Sequence, residues 1–201
     1  MEFFRRASGR PQALGLFPGT FNPVTLAHLA LARAALACVE EVVFILPRAF
    51  PHKRYEGASF EQRVHMLEAA LANEPRFSIA ATEGGLFIEI ARECRTAYGP
   101  APELYFLCGR DAAERIVNWN YGAAGAFAEQ LREYHLLVAP RQGVYKPPSD
   151  CLARIHSLAL EQDYDELSAS EVRVRIARGE RWEHLVPAAA VDLVREIYGG
   201  A

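Results

Sequence analysis

The sequence of 201 residues predicts a doubly wound α/β fold, in which helices cover both faces of a parallel sheet. Short, nearly continuous apolar runs recur along the chain, as is typical of buried parallel strands. Stretches with apolar residues at three- and four-residue steps separate these runs, which is the pattern of amphipathic helices. Glycine or proline closes several of the runs. Such an alternation favours one sheet with right-handed crossovers.

The apolar runs predict five strands, and residues 153–160 are a candidate for a sixth. The five strands cover residues 13–17, 41–46, 77–81, 104–108 and 135–139. The ligands of such a sheet bind beyond the carboxyl ends of the strands, where the strand order reverses. The segments that follow the strands are therefore the places to search for a site.

Helical spacing begins at Leu26, and a second helix follows Ser59, which forms a capping box with Gln62. Further helices are predicted over residues 86–97, 111–117, 124–132, 170–178 and 188–198, and residues 141–150 are predicted to be a loop. The last two helices form a small C-terminal segment of about residues 168–198. We predict that it packs on a single domain spanning residues 1–201.

The charge balance and hydropathy exclude several classes of protein. A net charge of −3 and a pI near 6.1 argue against a nucleic-acid polymer as partner, because such binders usually carry a basic face. The apolar runs stay short of the ~20 residues that cross a membrane, and the arginines of residues 5–10 precede no apolar stretch typical of a signal peptide. We expect a cytoplasmic protein that binds no membrane. Its oligomeric state stays open, a homo-oligomer included.

The four cysteines lie far apart in the sequence, at positions Cys38, Cys94, Cys108 and Cys151. This spacing predicts neither a zinc site nor a disulfide framework. Cys38 and Cys108 lie in or beside apolar segments, so we expect both to be small core residues.

The most informative segment spans residues 15–28 and reads G-L-F-P-G-T-F-N-P-V-T-L-A-H. It predicts a strand, a glycine turn and the start of a helix, an arrangement that points backbone N–H groups at an anion. Thr25 and His28 are three residues apart at the helix start, so both side chains can face one site. The segment therefore predicts a binding site for a polyphosphate.

These residues resemble the G-x-F-x-P-x-[HT]-x-G-H signature of the nucleotidyltransferase superfamily, with Ala27 at the usual glycine. The resemblance implies the Rossmann-like nucleotidyltransferase fold. It also implies that Thr25 and His28 bind a nucleotide triphosphate and stabilise the transition state as pyrophosphate leaves. The same loop would contribute ATP contacts from Gly19, Thr20 and Phe21 and an acceptor contact from Asn22.

Two central segments resemble the branch of nicotinate mononucleotide adenylyltransferases. Pro51-His52-Lys53, followed by Arg63-x-x-Met66-Leu67, resembles its P-H-K…R-x-x-M-L region and gives Lys53 a catalytic and acceptor-binding role. Leu107-Cys108-Gly109-Arg110-Asp111, followed by Trp119, resembles its G-x-D…W segment. By this resemblance Gly109 and Asp111 contact the ATP ribose, whose hydroxyls a carboxylate can accept, and Trp119 stacks on the pyridine ring. Taken alone, the same residues fit a solvated loop pair and a core tryptophan.

Residues 167–173, Leu-Ser-Ala-Ser-Glu-Val-Arg, resemble the C-terminal I-S-S-T-x-[IV]-R motif of the superfamily. We predict that Ser170 caps a helix and that Arg173 lies in its first turn. There Arg173 would give a forked, permanently charged contact to phosphate oxygens. By resemblance Ser168, Ser170 and Arg173 bind ATP, and Arg173 also contributes to catalysis.

One segment departs from the branch. Its usual G-P-S-Y-T-x-D-T-L holds the nicotinate end, whereas residues 84–90 here read Gly-Gly-Leu-Phe-Ile-Glu-Ile and carry no hydroxyl. The adenylyl transfer is therefore better defined than the acceptor.

The favoured interpretation is adenylyl transfer from ATP to a phosphomonoester, namely nicotinate or nicotinamide mononucleotide, with release of pyrophosphate. The acceptor phosphate attacks directly, so positioning and charge stabilisation carry catalysis. Mg²⁺ would enter with ATP, and no side chain is predicted as a metal ligand. Two alternatives stay open. One is another adenylyl- or cytidylyltransferase of the superfamily, such as pantetheine-phosphate adenylyltransferase; the other is a nucleotide-binding protein with a decayed acceptor site.

Overall fold

The seven strands of the protein form one sheet, seen in a computed structural model that describes residues 1–49, 55–119, 121–122, 125–140, 143, 145–160, 162, 164 and 166–199. The strands are β1 (Glu2–Arg5), β2 (Ala13–Pro18), β3 (Glu41–Pro47), β4 (Phe77–Thr82), β5 (Glu103–Gly109), β6 (His135–Ala139) and β7 (Ile155–Ser157). Their order is β1-β4-β3-β2-β5-β6-β7. Strands β2 to β7 pair in parallel, which confirms the predicted parallel sheet.

Strand β1 is the element that the sequence analysis did not predict. It is four residues long and pairs antiparallel with β4 at the edge of the sheet, with a register shift between Phe3 and Arg5. So short a run carries little periodicity, and its strand conformation comes from its pairing with β4. The candidate strand over 153–160 is confirmed over a shorter range, that of β7.

Within the described residues, seven α-helices connect and flank the strands: α1 (Leu26–Ala35), α2 (Phe60–Leu71), α3 (Phe87–Tyr98), α4 (Arg110–Val117), α5 (Ala126–Gln130), α6 (Ala169–Ala177) and α7 (Val191–Tyr198). Short 3-10 turns cover Ser149–Cys151, Glu183–Leu185 and Ala188–Ala190. The capping box predicted at Ser59 is present, since Ser59 N donates to Gln62 Oε1 at 2.7 Å. Among the described helices none is both long enough and apolar enough to cross a membrane.

Helices cover both faces of the sheet, because alternate strand residues point to opposite sides. Val42, Phe44 and Leu46 of β3 lie in one apolar cluster, which contains buried residues of α1, α2, α6 and α7. Val43 and Ile45 lie in the other, with buried residues of α3 and α4. The doubly wound fold and the C-terminal helical segment are thus confirmed.

The strand order reverses between β2 and β5. β2 pairs with β3 on one side and with β5 on the other, so the chain winds outward from this pair in both directions. The glycine turn follows the carboxyl end of β2, and Gly109 ends β5. Both segments therefore begin at the crevice where sheets of this topology bind their ligands.

The cysteine prediction is half right. Cys108 is buried, but Cys38 is exposed in the turn after α1, where its neighbours Ala35 and Val39 take the buried positions. All four cysteines are free thiols, and burial raises the pKa of Cys94 and Cys108 to about 12.

Candidate active site

The loop after β2 makes a tight turn over a buried phenylalanine. Gly19 N–H donates to the carbonyl of Ile45 at 3.0 Å, and a Cβ added to Gly19 would lie 2.9 Å from the ring of Phe21. Phe21 has a φ of +47° and is 1% exposed, and the next peptide bond, Asn22–Pro23, is cis. Glycine is needed at position 19 because the Phe21 ring lies against it. The buried Phe21 ring thus supports the loop by packing against Gly19.

Thr25 is the N-cap of α1 and forms a reciprocal pair with His28. The Thr25 hydroxyl lies 2.9 Å from His28 Nδ1, and the Thr25 backbone N–H donates to the same nitrogen at 3.0 Å. A nitrogen that accepts a backbone N–H carries no proton, so the neutral imidazole carries its proton on Nε2. The pair makes His28 a hydrogen-bond donor through Nε2.

The His28 ring is also held by two aromatic side chains. Its centroid lies 5.1 Å from that of Phe21, in an edge-to-face arrangement, and 5.9 Å from that of Phe17. Thr25 itself is fully buried. The geometry therefore gives Thr25 a positioning role, while its predicted direct contact with phosphate stays a prediction.

The C-terminal motif reaches the same loop from the other end of the chain. Arg173 Nη1 donates to the main-chain carbonyl of Asn22, which is 151 positions away in sequence, and to that of Ala169 at 3.2 Å. Its other terminal nitrogen donates to the Ser170 hydroxyl at 3.2 Å. Arg173 is thus anchored beside the turn that precedes α1.

The helix that carries Arg173 begins earlier than predicted. Ser168, and not Ser170, is the N-cap of α6, and its hydroxyl accepts the N–H of Glu171 at 3.1 Å. Arg173 consequently lies in the second turn, and the exposed Ser170 contacts Arg173 through its hydroxyl. Local sequence favours either serine as a cap, and only the path of the preceding chain decides between them. The phosphate contacts predicted for Ser168 and Ser170 stay predictions.

Asn22 is almost fully buried, and its side chain bonds within the protein. Its Nδ2 donates to the Glu56 carbonyl at 3.0 Å, and its Oδ1 accepts from Ala58 N–H at 3.2 Å and from the Tyr198 hydroxyl. The acceptor contact implied for Asn22 by resemblance stays a prediction. These hydrogen bonds link the loop after β2 to the segment that precedes α2 and to the end of α7.

Arg63 is a buried arginine to which the sequence assigned no site role. It is 3% exposed, its Nη1 donates to the Thr20 carbonyl at 3.2 Å, and its guanidinium lies 4.3 Å from the centre of the Tyr55 ring. Burial lowers the pKa of Arg63, with Tyr55, Tyr198 and Glu61 acting in the opposite direction. The signal that could have found it is the R-x-x-M-L pattern, in which Arg63 lies on the apolar face of α2.

The G-x-D segment begins α4 at the end of β5. Gly109 is the N-cap, with open space where a Cβ would lie, and Asp111 is exposed in the first turn. The Arg110 guanidinium between them donates to Glu114 at 2.8 Å, which leaves Asp111 and not Arg110 as the predicted sugar-binding side chain. The ATP contacts of Gly109 and Asp111 stay predictions.

Trp119 follows the C-cap of α4 and is 45% exposed, which excludes a core tryptophan.

Lys53 and its neighbour His52 lie outside the described residues. The structure therefore brings Thr25, His28, Asn22 and Arg173 together, puts Gly109 and Asp111 at the neighbouring strand end, and gives no geometry for Lys53.

Residues 84–86, where the chain departs from the branch pattern, bond to the chain's own carboxylates. Glu93 accepts the N–H of Gly84, and Glu89 accepts those of Gly85 and Leu86, each at 3.0 Å. The next residue, Phe87, stacks on Phe106 of β5 with 4.1 Å between ring centres. The start of α3 thus packs on β5, with these three N–H groups engaged.

Comparisons with known proteins agree with this site. The model of the family described as cytidylyltransferase-like matches residues 16–175, and the chain belongs to that family. The chain is 31% identical over 195 residues to a protein of Carboxydothermus hydrogenoformans named "probable nicotinate-nucleotide adenylyltransferase", covering 90% of this chain and 94% of that protein. It is 33% identical over 184 residues to a protein of the same name from Solibacter usitatus, covering 87% and 93%.

A solved structure has the same fold. It is the Plasmodium falciparum nicotinic acid mononucleotide adenylyltransferase complexed with NaAD, which superposes with a TM-score of 0.70 at 16% identity and covers 92% of this chain and 95% of its own. The resemblance inferred from the sequence is confirmed, and the protein is a nucleotidyltransferase.

Proposed function

We propose that this protein transfers an adenylyl group from ATP to nicotinate mononucleotide and releases pyrophosphate, as a step of NAD biosynthesis. The observation that carries the proposal is the approach of Arg173 to the loop that presents His28, because a cation and an N–H donor there can hold a polyphosphate. The names of the curated relatives and the NaAD complex of the structural neighbour support nicotinate mononucleotide as the acceptor.

The reaction needs no side chain as nucleophile. A phosphate oxygen of the acceptor attacks the α-phosphorus of ATP, and the bond to the bridging oxygen of pyrophosphate breaks. His28 Nε2 would donate to an oxygen that gains charge, and Arg173 would hold the β- and γ-phosphates. Fixed donors that meet developing charge are usually the largest contribution to such catalysis.

Mg²⁺ is proposed as part of the ATP substrate. The groups that line the proposed phosphate site are an imidazole N–H and a guanidinium, which suit phosphate oxygens, whereas Mg²⁺ prefers oxygen ligands and keeps several waters. Among the described residues no cluster of three acidic, histidine or cysteine side chains could hold a metal. An ion carried by the phosphates fits this donor set. The cytoplasmic location and the oligomeric state stay predictions.

A panel assay tests the proposal. Pyrophosphate release is measured with ATP or CTP as donor and with nicotinate mononucleotide, nicotinamide mononucleotide or phosphopantetheine as acceptor. We expect ATP with nicotinate mononucleotide to give the highest kcat/KM. Preference for phosphopantetheine or CTP would replace the proposal with another superfamily activity, and nucleotide binding without turnover on any acceptor would favour a decayed binding protein.

A further inference from the structure

Three elements from distant parts of the chain hold residues 20–22, the turn that precedes α1. Arg63 of α2 donates to the Thr20 carbonyl at 3.2 Å, and Arg173 of α6 donates to the Asn22 carbonyl. Tyr198, the last residue of α7, donates its hydroxyl to Asn22 Oδ1 across 176 positions of sequence. We call Asn22, Ala58, Arg173 and Tyr198 the Asn22 clamp.

The Tyr198 hydroxyl is a donor throughout the neutral range. Burial raises the pKa of Tyr198 and the nearby Tyr55 raises it further, while Arg173 and Arg63 lower it by a smaller amount. A neutral phenol with an amide oxygen as its partner donates one hydrogen bond and keeps its ring among apolar neighbours. Tyr198 packs against the cluster that also holds α1 and α2.

Asn22 has little freedom to move inside the clamp. Its Oδ1 accepts from both Ala58 N–H and Tyr198, while Nδ2 donates to the Glu56 carbonyl at 3.0 Å. Gly57 passes so close that an added Cβ would lie 2.2 Å from Nδ2. The side chain is therefore held from two directions, and its main-chain carbonyl, which anchors Arg173, is held with it.

We propose that Tyr198 is a positioning residue of the transfer reaction, whose hydroxyl fixes Asn22 and, through the Asn22 carbonyl, the guanidinium of Arg173. The inference rests on the proposed function, because it assigns Arg173 to the phosphates of ATP. Tyr198 touches neither substrate in this account. It acts by holding the turn before α1 in a fixed position relative to α6.

Removing the hydroxyl alone tests this role. Tyr198→Phe keeps the ring and deletes one hydrogen bond, so we expect kcat/KM for ATP to fall by about three- to tenfold. The matched control is Tyr98→Phe. Tyr98 also donates from a partly buried ring, to Glu41 Oε1 at 2.5 Å, but Glu41 is the first residue of β3 and lies at the amino end of the parallel strands, whereas the turn of residues 20–22 follows the carboxyl end of β2. The control should lower the melting temperature and leave the kinetics unchanged.

A double-mutant cycle with Arg173→Lys separates positioning from general stability. If Tyr198 acts through Arg173, the two losses in kcat/KM for ATP should be clearly less than additive, because the second change disturbs an already displaced contact. Hydrogen exchange over residues 16–28 gives a readout that does not depend on turnover. We expect faster exchange there in Tyr198→Phe and not in Tyr98→Phe.

Each outcome decides the matter. Unchanged kcat/KM in Tyr198→Phe, an equal loss in Tyr98→Phe, full additivity with Arg173→Lys, or failure of Tyr198→Phe to fold would each overturn the inference. If the parent protein transfers nothing from ATP to any mononucleotide, the proposed function fails first. The exchange measurement then still shows whether Tyr198 fixes the turn.

Discussion

The hydroxyl of Thr25 lies 2.9 Å from Nδ1 of His28, and the Thr25 backbone N–H donates to the same nitrogen. Since Nδ1 accepts, the neutral ring carries its proton on Nε2. The helix cap and the orientation of the imidazole are thus one structural unit. Thr25 is fully buried, and the His28 ring is partly exposed beside it.

His28→Ala should lower kcat more than it changes ATP affinity. Removal of a single donor that meets developing charge typically costs about 10²–10³ in turnover. The matched control is His65→Ala, an exposed histidine on α2, which should behave like the parent. Steady-state kinetics with varied ATP separate the two parameters. A variant with normal kcat and only a raised KM would remove His28 from the transition state.

Thr25→Val should reproduce part of the His28 defect, because valine keeps the volume and the backbone N–H that donates to Nδ1 but lacks the hydroxyl that also contacts it. Loss of the cap also costs stability, of the order of 1 kcal/mol. We expect a lower kcat together with a lower melting temperature. If kcat is unchanged while the melting temperature falls, Thr25 is a helix cap alone.

Arg173→Lys should weaken ATP binding by about tenfold or more, since lysine keeps the charge but cannot donate to Asn22 and to phosphate in one plane. Arg175→Lys is the control on the same helix, where Arg175 donates to Glu171 at 2.7 Å and to the Arg181 carbonyl at 3.4 Å, neither of which belongs to the turn before α1. ATP titrations of both variants make the comparison. Equal affinities for the parent and Arg173→Lys would reduce the C-terminal motif to a capped helix.

Trp119→Ala should weaken acceptor binding by about ten- to a hundredfold, the range that one stacked base contributes in nucleic-acid complexes. ATP binding and the melting temperature should change little, because the side chain is 45% exposed. Trp182→Ala supplies the contrast. Trp182 is 6% exposed, and its loss should cost about 3–5 kcal/mol of stability. Equal losses for ATP and mononucleotide in Trp119→Ala would remove Trp119 from the acceptor site.

His135 should make the protein less stable in mild acid. Burial lowers the pKa of His135, as do the nearby Arg154 and His156, while Glu103 opposes them. Arg154 donates to Nε2 at 2.8 Å, and Nδ1 lies 2.9 Å from His156 Nε2, so a proton on Nε2 would break the first contact. The unfolded chain, with a pKa of about 6.5, binds this proton more readily. The stabilising contribution is therefore present above pH ~6.5 and is lost as the pH falls below it.

Melting temperatures between about pH 7.5 and pH 5 check the sign. His135→Gln should lose less stability over this interval than the parent, and His65→Gln should follow the parent. Identical slopes for the parent and His135→Gln would show that other groups carry the acid dependence.

The sequence by itself determined the layers of the fold and the position of the loop after β2. Apolar runs such as residues 41–46 are favourable only when they are buried in the interior of the protein. The strand, glycine turn and helix of residues 13–28 are local features of the sequence. The three-residue spacing of Thr25 and His28 is also local, so the sequence predicted that both side chains can face one site, whereas their hydrogen bonds to each other are seen only in the structure. The helix cap at Ser168, the short strand β1 and the exposure of Cys38 were not predicted correctly, because neighbouring elements decide each of them.

Only the tertiary structure decided which distant groups meet at the turn before α1. Asn22 is 151 positions from Arg173 and 176 from Tyr198, and no periodicity or motif encodes those contacts. The buried charge of Arg63 is tolerated because its guanidinium donates a hydrogen bond to the Thr20 carbonyl and lies over the Tyr55 ring. Local sequence fixes backbone geometry over a few residues. The placement of a guanidinium or a phenol against a carbonyl far along the chain depends on how the helices pack on the sheet.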